Sequence, residues 1–276
     1  MSSQPHPRKT FIAGNWKSNG DRAFVNKHCM FLTGVRTDKN TQLCIAPPSI
    51  YLLNCKTFLA HIFNISSQNI SQFDDGPYTG EVSAKQIKDL GIDWTIIGHS
   101  ERRKYFFEDD NIIGKKIEQA IKYKLNFILC IGDDKDAKEI NCYDIIKRQL
   151  NIAFEKIKGN WDDVVIAYEP ITENGNGISK EKIQEMHEFI RKEIKEKMGE
   201  EISNKIRIIY GGNVDEKNCN ELILLKDVDG FLVSEPSIKS TSINIIESPK
   251  RKKIIFLDNN IIVVIKTQLL LSISII

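Results

Sequence analysis

The six cysteines (Cys29, Cys44, Cys55, Cys130, Cys142, Cys219) form no CxxC pair and no metal-ligand spacing. That excludes a disulfide scaffold or a cysteine-based metal centre by pattern and leaves reduced thiols in an intracellular protein as the expectation. No GxGxxG run follows the first apolar stretch, where a dinucleotide-binding fold needs it. Residues 1–9 are polar and too short for a secretory apolar core, so the expected address is cytosolic. Charge of one sign is also missing. The net charge is +2, and the segment from Pro249 onward, with four Lys and one Arg against Asp258, leaves the body near −2. The body is therefore no nucleic-acid binder by charge. Neither an internal repeat nor a proline-rich linker interrupts residues 10–248.

What is present is a soluble, globular composition: 276 residues, 41% hydrophobic and 28% charged. Short runs of Ile, Val, Leu and Phe recur near 10–13, 42–46, 62–67, 93–97, 126–131, 163–167, 206–210 and 230–233, giving eight predicted strands. Helical spacing lies between them. It is clearest at Ile183, Met186, Phe189, Ile190, Ile194 and Met198 behind the cap residue Ser179, and again at Ile113, Ile117, Ala120 and Ile121 after Asp110. Strict alternation of strand and helix calls for a parallel sheet, and near-continuous apolar strands imply burial on both faces. Eight repeats of the unit favour one α/β domain, a closed (β/α)8 barrel over residues 10–248, with an open doubly wound sheet as the alternative. Residues 1–9 read as a polar extension.

From Pro249 the texture changes. Pro249-Lys250-Arg251-Lys252-Lys253 leads into an Ile-, Leu- and Val-rich run ending at Ile276, broken by Asp258, Lys266 and Gln268. A membrane span needs about 20 predominantly apolar residues, so this tail is not assigned to the membrane. An interfacial anchor, an extra strand, a disordered tail and a gene-model artefact all stay open.

In barrels of this class the site lies at the carboxyl ends of the strands, so residues just past each strand converge. Those residues are Asn15 and Lys17 after the first, His99, Ser100 and Glu101 after the fourth, and Glu169 with Gly175 and Gly177 after the sixth. Tyr210-Gly211-Gly212-Asn213 follow the seventh and Ser234-Glu235 the eighth. A carboxylate facing an imidazole and an ammonium suits proton abstraction beside a carbonyl, with His and Lys stabilising the enediolate oxygens. No metal or cofactor is required. The glycine-rich turns after strands six and seven suit a phosphate held by backbone N–H groups, which points to a small phosphorylated sugar or ketone. Taken singly, each residue has a duller explanation: a surface lysine, a structural histidine, an exposed ion-pair cluster at Glu101-Arg102-Arg103, an ordinary glycine turn. Their joint occurrence at one end of different strands favours chemistry.

The motifs Asn15-Trp16-Lys17, Tyr78-Thr79-Gly80-Glu81-Val82-Ser83, Ile97-Gly98-His99-Ser100-Glu101-Arg102-Arg103, Ala167-Tyr168-Glu169-Pro170 and Ile209-Tyr210-Gly211-Gly212 together resemble the triosephosphate isomerase family. The likeness spans about residues 10–248. It implies Glu169 as the base and His99 as the electrophile and proton shuttle, a pairing established for that family rather than read from this chain. It also implies that Lys17 and Asn15 bind and polarise the substrate and that Glu101 supports Lys17. Gly175, Asn213, Ser234 and Glu235 fall at the phosphate loops. A homodimer is implied too, with the loop at Thr79 entering the neighbouring subunit, bracing Asn15 there, and Glu81 pairing with Arg102 across the interface.

Three departures from the family pattern lie around the phosphate. The lid, usually Pro, aliphatic, Trp, Ala, Ile, Gly, Thr, Gly, Lys, here reads Pro170-Ile171-Thr172-Glu173-Asn174-Gly175-Asn176-Gly177-Ile178. A polar tip should expel water less well on closing. Asn213 replaces the usual Ser, and Ser234-Glu235-Pro236 replaces a glycine-rich turn. A carboxylate ~5 Å from a phosphate costs about 3 kcal/mol per pair of unit charges at an effective dielectric of 20, unless Glu235 turns to solvent. The expectation is an isomerase with intact proton-transfer groups and a weakened phosphate grip. The alternatives are a non-catalytic barrel with a binding role and an isomerase or lyase acting on another phosphosugar.

Overall fold

The structure, a computed structural model, describes residues 8–132, 141–170 and 177–249. Most of the N-terminal extension, lid residues 171–176 with Gly175, and the tail from Lys250 lie outside the described residues.

Eight strands, β1 (Thr10–Asn15), β2 (Thr41–Ala46), β3 (Asn64–Ser67), β4 (Trp94–Ile97), β5 (Asn126–Gly132), β6 (Val164–Glu169), β7 (Arg207–Tyr210) and β8 (Gly230–Val233), form a closed parallel barrel in sequence order. β8 closes onto β1 with Phe11 opposite Gly230 and Gly14 opposite Val233. Around it run α1 (Arg22–Leu32), α2 (Leu52–Leu59), α3 (Ala84–Asp89), α4 (Ser100–Phe106) and α5 (Asp110–Lys122). The second half contributes α6 (Cys142–Lys156), α7 (Lys180–Met198), α8 (Glu200–Lys205), α9 (Cys219–Leu222) and α10 (Ser242–Glu247). The barrel reading, rather than the open sheet, is the observed one.

Side-chain parity builds two cores. Phe11, Ala13, Cys44, Ala46, Trp94, Ile96, Ile128, Cys130, Val165, Ala167, Ile209 and Leu232 fill the barrel interior. The alternate residues, such as Ile12, Leu43, Leu129, Ile166 and Ile208, pack outward against the helices. Residues two apart on a strand share a face, so the interior positions run on predictably to the strand ends. Phe11 and Ala13 are followed by Asn15, and Val165 and Ala167 by Glu169. Polar groups reach the mouth of the barrel because the parity of an apolar strand delivers them there. At the opposite end the guanidinium carbon of Arg207 lies 5.1 Å from the ring centre of Phe11 and 5.9 Å from that of Trp94, closing the barrel floor.

Ser179 caps α7 as the sequence suggests, accepting from Lys182 N–H, and at α3 Ser83 forms a full capping box with Gln86. At α5 the cap is Asp109, which accepts from Ile112 N–H. One detail differs from the sequence reading. Ile121, expected on the buried stripe of α5, is 44% exposed, because Ile113, Ile117 and Ala120 already occupy the face toward the barrel. All six cysteines are free thiols. Among the described residues no helix is long and apolar enough to cross a membrane.

Candidate active site

Lys17 sits two residues beyond the barrel in the left-handed region, φ 53°, a conformation costing a non-glycine residue ~1–2 kcal/mol. Hydrogen bonds on both sides hold it there. Its N–H donates to Asn15 Oδ1 at 3.0 Å, and its carbonyl accepts from Gln68 Nε2 at 2.8 Å. Gln68 Nε2 also donates to Ala46 O at 2.8 Å, which ties the turn to the end of β2. The ammonium, thus aimed, meets Glu101 Oε1 at 2.5 Å. Both side chains are partly exposed, so the pair adds orientation more than stability.

His99 follows Gly98, whose φ of 76° breaks the β4 parity and turns the chain into α4. The imidazole caps that helix: Nδ1 accepts from Glu101 N–H at 3.2 Å. A ring nitrogen that accepts carries no proton, so the hydrogen-bond pattern assigns the proton to Nε2. Nε2 lies 3.3 Å from Glu169 Oε1.

Glu169, buried at the end of β6, is tethered through its other oxygen, Oε2, to Ser100 N–H at 2.9 Å. The Cys130 thiol, inside the barrel on β5, lies near the same carboxylate. Complete burial, then the charge of Glu169, push that thiol well above the ordinary cysteine range, so it remains a donor. Lys17, Glu101, His99 and Glu169 thus form one chain of contacts, with His99 Nδ1 3.8 Å from Glu101 Oε2. A cleft of about 350 Å³ opens beside them, bordered by Asn15, Lys17, His99, Glu101, Gly80 and Arg102.

The loops after β7 and β8 face a separate hollow of about 460 Å³ lined by Gly212, Asn213, Ser234, Glu235 and Lys239. Glu235 opens a short 3-10 helix, Glu235–Ile238, in which Pro236 supplies no N–H. The Glu235 carboxylate is 75% exposed and pairs with Lys239 Nζ at 2.5 Å. Burial pushes the Tyr210 phenol up to about 12, against the lowering effect of the nearby backbone of Asn213 and Ile178. Gly177 lies against Asn213, so the far end of the lid meets the β7 loop.

A family model described as triosephosphate isomerase matches residues 10–248. The chain belongs to the triosephosphate isomerase family. The triosephosphate isomerase of Emericella nidulans is 39% identical over 246 residues, covering 88% of this chain and 99% of that protein. That of Paracoccidioides lutzii is 41% identical over 246 residues, with the same coverage.

Within this family member, the structure brings Asn15, Lys17, His99, Glu101 and Glu169 to one rim and places Asn213, Ser234 and Glu235 together beyond β7 and β8. Gly175 lies outside the described residues. Glu235 takes the solvent-facing alternative, with Lys239 meeting its charge. Arg102, expected to meet Glu81 of a second subunit, donates from Nε to Glu108 Oε1 of its own chain at 2.7 Å. Sequence reasoning passed over Gln68 and Cys130. The only signal for Cys130 was its interior parity two residues before the end of β5, and for Gln68 its place one residue past β3.

Proposed function

We propose that this family member interconverts dihydroxyacetone phosphate and D-glyceraldehyde 3-phosphate by proton transfer through an enediolate. The observation that carries the reading is the 3.3 Å approach of His99 Nε2 to Glu169 Oε1 at the ends of β4 and β6. Glu169 leaves Ser100, takes the carbon-bound proton of the substrate and, after partial exchange with solvent, delivers a proton to the neighbouring carbon. His99, protonated at Nε2, hydrogen-bonds the carbonyl oxygen and moves a proton between the two oxygens. The Lys17 ammonium, oriented by Glu101, meets the negative charge that develops, and Asn15 holds the Lys17 turn.

The phosphate sits against the backbone N–H groups at Asn213, Ser234 and Glu235. Lys239 removes the charge penalty that Glu235 would otherwise impose. A weaker grip than an ordinary family member's then rests on the absent N–H at Pro236 and on the polar Thr172-Glu173-Asn174 lid sequence. It shows as a raised KM and as more methylglyoxal released per turnover, since a poorly sealed enediolate loses phosphate.

The functional unit is a homodimer in which the Thr79 loop enters the neighbouring subunit near Asn15. Supporting it are the stacked and part-exposed Phe73 and Tyr78 beside that loop and the exposed Tyr105, Phe106 and Phe107. Six free thiols suit a reducing compartment, here the cytosol.

The test is a coupled assay on glyceraldehyde 3-phosphate with the full chain and with Glu169→Gln. Turnover by the full chain and a loss of at least 10²–10⁴-fold in the variant are expected, the usual contribution of a positioned base. No turnover by either protein selects the non-catalytic reading, and equal turnover by both removes Glu169 as the base.

A further inference from the structure

We infer that Gln149, on α6, is a positioning residue for Glu169 and acts through the backbone of Gly132. The inference rests on the reading of Glu169 as the base. Gln149 is buried, and its amide pairs with both polar groups of one residue: Gly132 N–H donates to Gln149 Oε1 at 2.9 Å, and Gln149 Nε2 donates to Gly132 O at 3.0 Å.

The topology explains why Gly132 needs such a partner. β4 pairs with β5 only as far as Ile97 opposite Leu129, whereas β6 pairs with β5 through to Gly132 opposite Glu169. The last three residues of β5 therefore run past the end of β4. Gln149 meets, with one side chain, the donor and the acceptor of the final residue. An apolar residue in its place would leave two buried backbone groups unpaired at the end of β5.

Gly132 is also the residue on which Glu169 rests. A Cβ at position 132 would stand 1.9 Å from the Glu169 carbonyl oxygen and 2.8 Å from its carbonyl carbon, so the two backbones touch with no side chain between them. A shift of Gly132 is passed directly to the peptide that carries the base. Cys130, two residues earlier on the same interior row, lies near the Glu169 carboxylate. The end of β5 thus sets the backbone of Glu169, and Gln149 fixes the end of β5. Since a displacement of about 1 Å at a reacting group costs on the order of 10²-fold in rate, loosening this contact reaches kcat without touching the substrate.

The experiment is a double-mutant cycle on kcat and KM with Gln149→Met, which keeps the volume and removes both hydrogen bonds, and Glu169→Gln. Gln149→Met is expected to lower kcat by about 10- to 100-fold with KM within about twofold. In the Glu169→Gln background the same substitution is expected to lower kcat no further, because the group it positions is gone. A purely structural role would reduce activity by the same factor in both backgrounds, and that result overturns the inference, as does wild-type kcat in Gln149→Met. Should Glu169→Gln retain full kcat, the base assignment itself fails, and the positioning claim with it. If Gln149→Met does not fold, Gln149→Glu decides. It keeps the acceptor for Gly132 N–H and loses the donor to Gly132 O, and a kcat within twofold of wild type in that variant overturns the inference.

Discussion

His187 shows how strongly this fold dictates the state of a single group. It lies wholly buried on α7, with Nδ1 3.1 Å from Asp227 O and a ring contact to Tyr168. Burial is the largest influence and lowers its pKa to about 4, outweighing the raising effects of the Asp227 carbonyl and of the Asp229 and Asp227 charges. The unfolded chain, with an ordinary histidine near 6.5, takes up a proton between pH 6.5 and 4 that the folded chain refuses. Stability is therefore fully present above pH 6.5 and falls as the pH drops toward 4, by about 3 kcal/mol from this residue. Urea unfolding at pH 7.5 and 5 should show His187→Asn losing about 2 kcal/mol less than the wild type over that interval. Parallel losses would mean that the imidazole is not the titrating group. Nothing local marked His187 for this role, since it occupies the buried stripe of α7 like its neighbours Ile183 and Ile190. The same holds for the contacts around the site. Gln68 with Lys17, Cys130 with Glu169 and Gln149 with Gly132 join residues from different elements, and a one-dimensional pattern carries no trace of such pairings.

Elements were far more legible. Each strand is a continuous apolar run because both faces are buried, and the eight runs coincide with β1 to β8 to within two residues at either end. The start of α7 behind Ser179 follows from capping chemistry. What the pattern did not settle was which of several apolar residues on a helix turns inward, hence the exposed Ile121. The end of α5 carries a second consequence. Leu125 N–H bonds to Ala120 O at 2.9 Å and Lys124 N–H to Ile121 O at 3.1 Å, a Schellman closure with Lys124 at φ 53°. That site favours glycine, and the Lys124 side chain is exposed. Lys124→Gly should raise stability by up to ~1 kcal/mol, seen as a melting temperature higher by about 2–4 °C. A lower melting temperature would show that the lysine contributes more than its backbone costs.

At the scale of the whole molecule, the barrel makes the site. Parity carries Asn15 and Glu169 to the mouth, the positive-φ glycine at position 98 turns His99 toward them, and closure of β8 on β1 brings distant segments within 4 Å of one another. A monomer leaves the Thr79 loop and the cleft at Asn15, Gly80 and Arg102 open to water. Sedimentation should therefore give a dimer. Tyr78→Asp should weaken self-association by a factor of about 30 or more, as an aromatic anchor at an interface does. A wild-type monomer with full turnover would contradict that assembly. The central claim, that Glu169 moves a proton between two carbons beside a neutral His99, is tested most directly by running the reaction on glyceraldehyde 3-phosphate in D₂O and reading the product by NMR. Carbon-bound deuterium in the product of the wild type, and its loss together with turnover in Glu169→Gln, is the predicted result. Turnover retained by the variant, or deuterium incorporated equally by it, would contradict it.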